Sequence, residues 1–278
     1  MKTLIKDITI GQYFFGKSFI HKCDARTKIL LTFAMIVIIF ISKNFLSLGL
    51  VVAFTLFEMI LSSVPIKMYL KSLKPLLILI IFTAVLNLLY STGGEVIVEF
   101  WKIKITDRAV FNALFIIIRI VCLIECTSVL TYTTTPTMLT DAIEKLLSPL
   151  NVILKPFNMQ IHTLAMMMTL ALRFIPTLIE EIDKISNAQK ARGADLDSGK
   201  FKDRIKAIIP IIIPLFVSSF RRAYELAFAM DCRCYQGGTG RTRMKKMKFS
   251  YRDLIFASAT ILLCAGVIVS NIFLGSVL

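Results

Sequence analysis

Histidine is almost missing: His21 and His162 are the only two in 278 residues. No His-Glu-x-x-His pair occurs, which excludes the helix-borne zinc site of a metalloprotease. Nor is there a Gly-x-x-x-x-Gly-Lys-Ser/Thr phosphate loop. Gly237-Gly238-Thr239-Gly240 runs into Arg241-Thr242 without the spacing or the lysine that a phosphate loop needs, and reads as a helix stop. No serine, histidine and acid combination is apparent. The chain therefore reads as neither an ATPase nor a hydrolase. Cys232 and Cys234 alone cannot fill a four-ligand zinc site. Charge is thin as well, at 18% against about 25% in soluble domains. Residues 1–28 are polar and mixed, without the short apolar core of a cleavable leader.

Apolar residues fill the gap. They make up 56% of the chain, with a mean hydropathy of +0.74. This excludes disorder and an ordinary cytosolic enzyme, and it points to an all-α polytopic membrane protein. Apolar runs predict about five spans, at 29–42, 45–64, 76–90, 109–132 and 254–278. The first and third are shorter than the roughly 17–25 residues a span needs, so they tilt little, borrow flanking residues or pack against protein. Asp24 is placed to N-cap the first helix.

Basic residues outnumber acidic ones by 33 to 18, a net charge of +15. In a membrane protein this bias reports orientation before nucleic-acid binding. The N-terminal segment holds Lys2, Lys6, Lys17, Lys22, Arg26 and Lys28 against Asp7 and Asp24, whereas the loop 91–108 is balanced. The N-terminus is expected inside, and five spans put the C-terminus outside. The run Arg241, Arg243, Lys245, Lys246 and Lys248 before the last span follows the same bias. Of the six cysteines, Cys122, Cys126 and Cys264 lie in apolar spans; Cys23, Cys232 and Cys234 lie in basic segments facing a reducing interior. No disulfide framework follows.

The stretch 133–252 is basic yet rich in apolar helix. Thr135-Pro136 opens an amphipathic helix with Met138, Leu139, Ala142, Ile143, Leu146, Leu147 and Leu150 at helical spacing, broken by Pro149 and Pro156. A Met-rich helix, 162–175, kinks at Pro176 into an amphipathic one ending at Ala191-Arg192-Gly193. A proline-punctuated run, 208–220, leads into a second, ending at Cys232-Arg233-Cys234. The two halves echo each other: each brings one arginine, flanked by small residues, to a helix tip, where the helix dipole favours a cation. The methionines and amphipathic faces make a large apolar surface suited to adaptable docking. Three organisational blocks result: an N-terminal segment with four spans (1–132), a cytoplasmic or interfacial module of amphipathic helices (133–252) and a last span (253–278). Within the spans, Arg119 and Glu125 are about 120° apart on one helix and need separate partners. A structural role suits them better than a substrate path, because nothing else polar converges there. With Glu58 they are the charges on which a stand-alone channel or carrier would have to rest.

These residues resemble a known family, the transmembrane T component (EcfT/CbiQ-like) of energy-coupling factor (ECF) transporters. The resemblance runs nearly end to end. It rests on Gly11-Gln-Tyr-Phe-Phe-Gly16-Lys-Ser18 with His21 and Asp24-Ala-Arg-Thr-Lys28, on Thr134-Thr-Pro136, Leu147-Ser-Pro149 and Arg173-Phe-Ile-Pro176, and on two arginine motifs. The first is Ala188-Gln-Lys-Ala-Arg-Gly-Ala-Asp195; the second is Met230-Asp-Cys-Arg-Cys-Tyr235, followed by Gly240-Arg-Thr-Arg243. Cys232 and Cys234 depart from the pattern by replacing Ala and Gly, and Ala25 stands where the family often has Pro. The resemblance implies a non-catalytic coupling subunit of an ABC-type importer in the bacterial plasma membrane. Two cytoplasmic ATPase subunits, which hold ATP and Mg, would bind at Ala191, Arg192, Gly193, Cys232, Arg233 and Cys234. A substrate-binding membrane S component would dock on the apolar faces, for vitamin or other micronutrient uptake. This chain would bind no cofactor, metal or nucleic acid of its own.

Overall fold

The computed structural model describes residues 13–90, 96–100, 103–150, 161–194, 201–235 and 248–274. The expected break at Pro156, the stop at Gly237-Gly238-Thr239-Gly240, the basic run Arg241 to Lys246, and Gly11 and Asp195 of the motifs lie outside them. The fold is helical, with one short hairpin, and divides into two compact units.

The first unit comprises Gln12–Thr135 and Lys246–Leu278. It holds α1 (Ala25–Ile41), α2 (Phe45–Ser62), α3 (Ile66–Leu73), α4 (Leu77–Tyr90), α5 (Asp107–Thr133) and α9 (Tyr251–Leu274). Local chemistry sets several of the ends. The Asp24 side chain accepts from the Arg26 amide at 3.1 Å, the expected N-cap. Asn44 and Ser47 form a reciprocal capping box at the start of α2. Ser63, in the left-handed region at φ 55°, ends α2. Between α4 and α5, β1 (Val96–Phe100) pairs antiparallel with β2 (Ile103–Thr106), Glu99 opposite Lys104. The sequence read this stretch as loop, because two strands of five and four residues carry too little periodicity to register.

The core joins four helices: Met35, Ile38 and Ile39 of α1, Val51 of α2, Cys122 and Cys126 of α5, and Leu263 and Val267 of α9. A second cluster sits where Tyr69 meets Tyr132 edge to face, ring centroids 5.5 Å apart. Tyr69 shares a 2.8 Å hydrogen bond with Ser62, and Tyr132 donates to the Met68 carbonyl at 3.0 Å. Arg119 finds the structural partner its position requires. It donates to the carbonyl of Ser42, the C-cap of α1, at 2.6 Å and lies over the Phe115 ring. Glu58 is 3% exposed and has no hydrogen-bond partner among the described residues. Removing an unpartnered buried carboxyl relieves a desolvation cost. Glu58→Met is therefore expected to raise stability by about 1–2 kcal/mol, seen as a thermal midpoint a few degrees higher. A lower midpoint would show that the carboxyl makes a stabilising contact.

Among the described residues, five helical stretches are long and apolar enough to cross a membrane: Phe45–Ser62, Ile66–Leu89 (α3, a short 3-10 turn and α4 taken together), Asp107–Thr133, Ile161–Ala191 and Tyr251–Phe273. The number matches the sequence reading; the membership differs. The run 29–42 forms a 17-residue helix, just under the length of these five, although its buried face joins the same core. Ile161–Ala191 takes its place in the count because two segments read as separate helices are one continuous helix. Arg173 is the only charge in its first 19 residues, while Glu180, Glu181, Asp183 and Lys184 crowd the second half.

The second unit contains α6 (Pro136–Leu147), α7 (Ile161–Ala191) and α8 (Phe201–Cys232). Prolines lie inside α7 (Pro176) and α8 (Pro210, Pro214) without ending either helix. Pro214 lacks an N–H, which leaves the Pro210 carbonyl without its helical donor. The Gln189 side chain donates to that carbonyl at 3.5 Å. Further along, Glu181 accepts from Ser218 and pairs with Arg222, and the Tyr235 hydroxyl donates to Met166 Sδ at 2.9 Å. Partner numbers fall along α8 as they rise along α7, so the two helices run antiparallel.

Candidate functional site

Both arginine motifs end a long helix, and they end it in the same way. After α7, the Gly193 amide donates to the Lys190 carbonyl at 3.0 Å and the Ala194 amide to the Gln189 carbonyl at 3.0 Å. Gly193 has φ 86°. After α8, the Cys234 amide donates to the Asp231 carbonyl at 2.9 Å and the Tyr235 amide to the Met230 carbonyl at 3.1 Å, with Cys234 at φ 53°. Each set is a Schellman turn: two nested bonds closed by one left-handed residue. Arg192 and Arg233 therefore occupy the same position, the helix C-cap. Gly193 corresponds to Cys234, and Ala191 to Cys232.

All six residues are exposed, and neither arginine side chain makes a hydrogen bond or ion pair among the described residues. Each guanidinium stands at the negative end of a helix dipole, with small neighbours on both sides. Because α7 and α8 are antiparallel, the two tips lie at opposite ends of the pair. Arg233 is level with the start of α7, so it lies roughly 40 Å along the axis from Arg192 at 1.5 Å rise per residue. Sequence reasoning found the two tips but not this opposition. It also missed the residues that set it: Gln189 with Pro210, Glu181 with Ser218 and Arg222, and Tyr235 with Met166. Nothing in the spacing of either helix alone marks which residues face the other.

A cysteine in the left-handed region carries a cost of about 1–2 kcal/mol that glycine avoids. Cys234→Gly is thus expected to stabilise the second tip by up to about 1 kcal/mol, read as slower amide exchange at Cys234 and Tyr235. Unchanged or faster exchange would contradict the cap assignment.

The remaining cysteines are chemically distinct. Cys23 is buried, its thiol donates to the Phe19 carbonyl at 3.4 Å, and burial together with the nearby Asp253 carboxylate pushes its pKa up to about 11. The thiolate is the reactive form, so Cys23 stays inert at neutral pH. A membrane-impermeant maleimide at pH 7.5 is expected to modify Cys232 and Cys234 and to leave Cys23, Cys122 and Cys126 untouched, as counted by intact mass. In the N-terminal signature, His21 donates from Nε2 to the Phe14 carbonyl at 2.9 Å and accepts from Ser18 at Nδ1 at 2.6 Å. Burial lowers its pKa, in keeping with a neutral ring. The ring sits 2.8 Å from where a Cβ on Gly16 would be, which is why that turn takes glycine.

The α7–α8 pair also shows a broad apolar face. Met167 and Met168 on α7, and Ile212, Phe216 and Phe220 on α8, are all exposed. No group of three or more His, Cys, Asp or Glu side chains arranged to hold a metal ion occurs among the described residues.

The fold and its two tips define a polytopic helical membrane protein that presents paired, arginine-capped helix ends. The family model described as cobalt transport protein, CbiQ, matches residues 16–245. A relative from Clostridium kluyveri, the energy-coupling factor transporter transmembrane protein EcfT, is 50% identical over 273 residues, 98% of this chain and 100% of its own. The EcfT of Ruminiclostridium cellulolyticum is 48% identical over 265 residues (95% and 97%), and that of Bacillus subtilis 42% over 262 residues (94% and 97%). The chain belongs to the EcfT/CbiQ family, the transmembrane T components of ECF transporters.

Proposed function

We propose that this chain is the coupling subunit of an ECF-type importer, and that each arginine-capped tip docks into one of two cytoplasmic ATPase subunits. One observation carries the reading: two C-cap turns of the same kind, each presenting an exposed arginine without a partner among the described residues, stand at opposite ends of one antiparallel helix pair. A single partner of ordinary size reaches one tip; two partners side by side reach both. Arginine suits such a contact because its planar fork meets carboxylates or carbonyls in bidentate geometry. Ala191, Gly193, Cys232 and Cys234 keep the tips narrow enough to enter a groove.

In this scheme ATP binding moves the ATPases together, and the antiparallel pair carries that movement to a substrate-binding S component seated on the exposed apolar face. ATP and Mg belong to the partners; this chain performs no catalysis and holds no cofactor. It lies in the bacterial plasma membrane with the N-terminus and both tips in the cytoplasm, as the loop charges favour. With the tips at opposite ends of the pair, α7 and α8 then lie along the cytoplasmic face and do not cross, although α7 has the length and composition of a span. The transported micronutrient is recognised elsewhere.

Co-expression with the ATPase pair tests the assembly: the chain is expected to co-purify with both ATPases, and absence of both would refute the reading. Sidedness is tested with the same impermeant maleimide. Cys232 and Cys234 are expected to react in inverted vesicles and not in intact cells; the opposite pattern would place the Arg233 tip outside.

A further inference from the structure

The chain passes between the two units three times: first at Gly11–Gln12, then out and back at Thr135–Pro136 and Lys245–Lys246. On the membrane-unit side, the described residues that precede the outgoing crossing and follow the returning one meet the same few residues, the start of α1. Lys28 is 4% exposed, and its amine donates to the Thr133 carbonyl at 3.0 Å and to the Thr134 hydroxyl at 3.5 Å. These are the last residues before the outgoing crossing. Beside them the Phe14 amide donates to the Tyr132 carbonyl at 2.9 Å. The end of α5 thus has two of its last carbonyls, those of Tyr132 and Thr133, taken by Phe14 and Lys28, with a cation at the negative end of its dipole.

Four residues earlier on α1, the Asp24 amide donates to Asp253 Oδ1 at 2.7 Å. The other oxygen of the Asp253 carboxylate accepts from the Ser250 amide at 2.8 Å. Asp253 is 2% exposed and lies in the first turn of α9, just after the returning crossing. Arg26 lies over the Phe249 ring, 5.7 Å from its centroid. One helix turn therefore grips the outgoing chain through Lys28 and the returning chain through Asp24. That helix then runs directly into the core at Met35, Ile38 and Ile39.

A lysine buried this deeply loses hydration. Here it takes up two neutral oxygens, with no carboxylate within ion-pair distance among the described residues. An apolar residue of similar length would fill the space at lower desolvation cost. Fold stability alone is a poor reason for the amine; holding one chain exit at a fixed place is a better one. We propose that Asp24, Lys28 and Asp253 form a clamp through which displacement of the helix pair enters the membrane bundle. Lys28 is a positioning residue: it acts on the outgoing chain and touches no substrate or nucleotide. The inference rests on the coupling reading above.

The test uses the full complex in proteoliposomes, with both ATPases, the substrate-binding membrane subunit that co-purifies with them and, as the probe, the radiolabelled vitamin which that subunit carries on purification. ATP hydrolysis and uptake are measured on the same vesicles for wild type, Lys28→Met, Asp253→Asn and Thr134→Val. Lys28→Met and Asp253→Asn are expected to assemble and to hydrolyse ATP within about twofold of wild type, while uptake per ATP falls roughly tenfold. A merely structural role would lower complex yield and both rates together, leaving the ratio unchanged; that result overturns the clamp. Where Lys28→Met yields no complex, Thr134→Val decides, since it removes only a hydroxyl from a side chain of the same shape. A fall in its ratio of about threefold supports the clamp, and a wild-type ratio overturns it. Failure of the coupling reading would show separately, in a wild type that retains no ATPases.

Discussion

Reversing both tips, Arg192→Glu with Arg233→Glu, is expected to abolish stable retention of the ATPase pair while the protein stays folded in the membrane. Each arginine is exposed and makes no hydrogen bond or ion pair among the described residues, so its loss removes none of the contacts seen there and the fold has little to lose. In a complex, a docked guanidinium is desolvated against acceptors. Truncating one side of such a pair costs about 2–5 kcal/mol, or roughly 30-fold to several thousand-fold in affinity. Reversal adds repulsion to that loss. The single variants are expected to weaken binding to intermediate degrees, because the tips stand at opposite ends of the helix pair. Titrating purified ATPases against the detergent-solubilised chain gives the affinities. A double variant that binds within about threefold of wild type would contradict the assignment.

Gly193→Val is the second large effect. At φ 86° nothing lies within 4 Å of where a Cβ would be, so the penalty is conformational and not steric crowding from neighbours. A left-handed residue costs about 1–2 kcal/mol for an ordinary side chain, and a β-branched one is more strongly disfavoured. The bonds from Gly193 and Ala194 to Lys190 and Gln189 are expected to break, and the last turn of α7 to unwind. Arg192 then loses its fixed position although its charge remains. ATPase affinity should fall by at least about tenfold with the global melting temperature nearly unchanged. Gly193→Asn, which tolerates the left-handed region, should retain most of the affinity. Equal loss in both variants would show that glycine serves a contact and not a backbone conformation.

Much of the helical fold was legible because apolar runs and prolines mark helices strongly. The N-cap at Asp24 and the ends of both long helices were read from residue type alone. The identity of the fifth apolar helix was not. Pro176 reads as a kink between a Met-rich and an amphipathic segment, and α7 runs through it as one helix, since a helix packed along its length tolerates one missing bond. The equivalence of Gly193 and Cys234 was only half visible: two arginines flanked by small residues could be seen, but a cysteine at φ 53° cannot be foreseen from composition. The antiparallel order of α7 and α8 depends on long-range contacts such as Gln189 with Pro210. The Lys28 and Asp253 contacts span more than 100 and 200 residues of sequence and leave no local pattern.

Native mass spectrometry of the chain co-expressed with its ATPase pair bears most directly on the central claim. The account predicts a wild-type assembly containing one copy of this chain with two ATPase subunits, and a free chain for Arg192→Glu/Arg233→Glu. A wild type that carries no ATPase, or a double variant that still carries both, would contradict it.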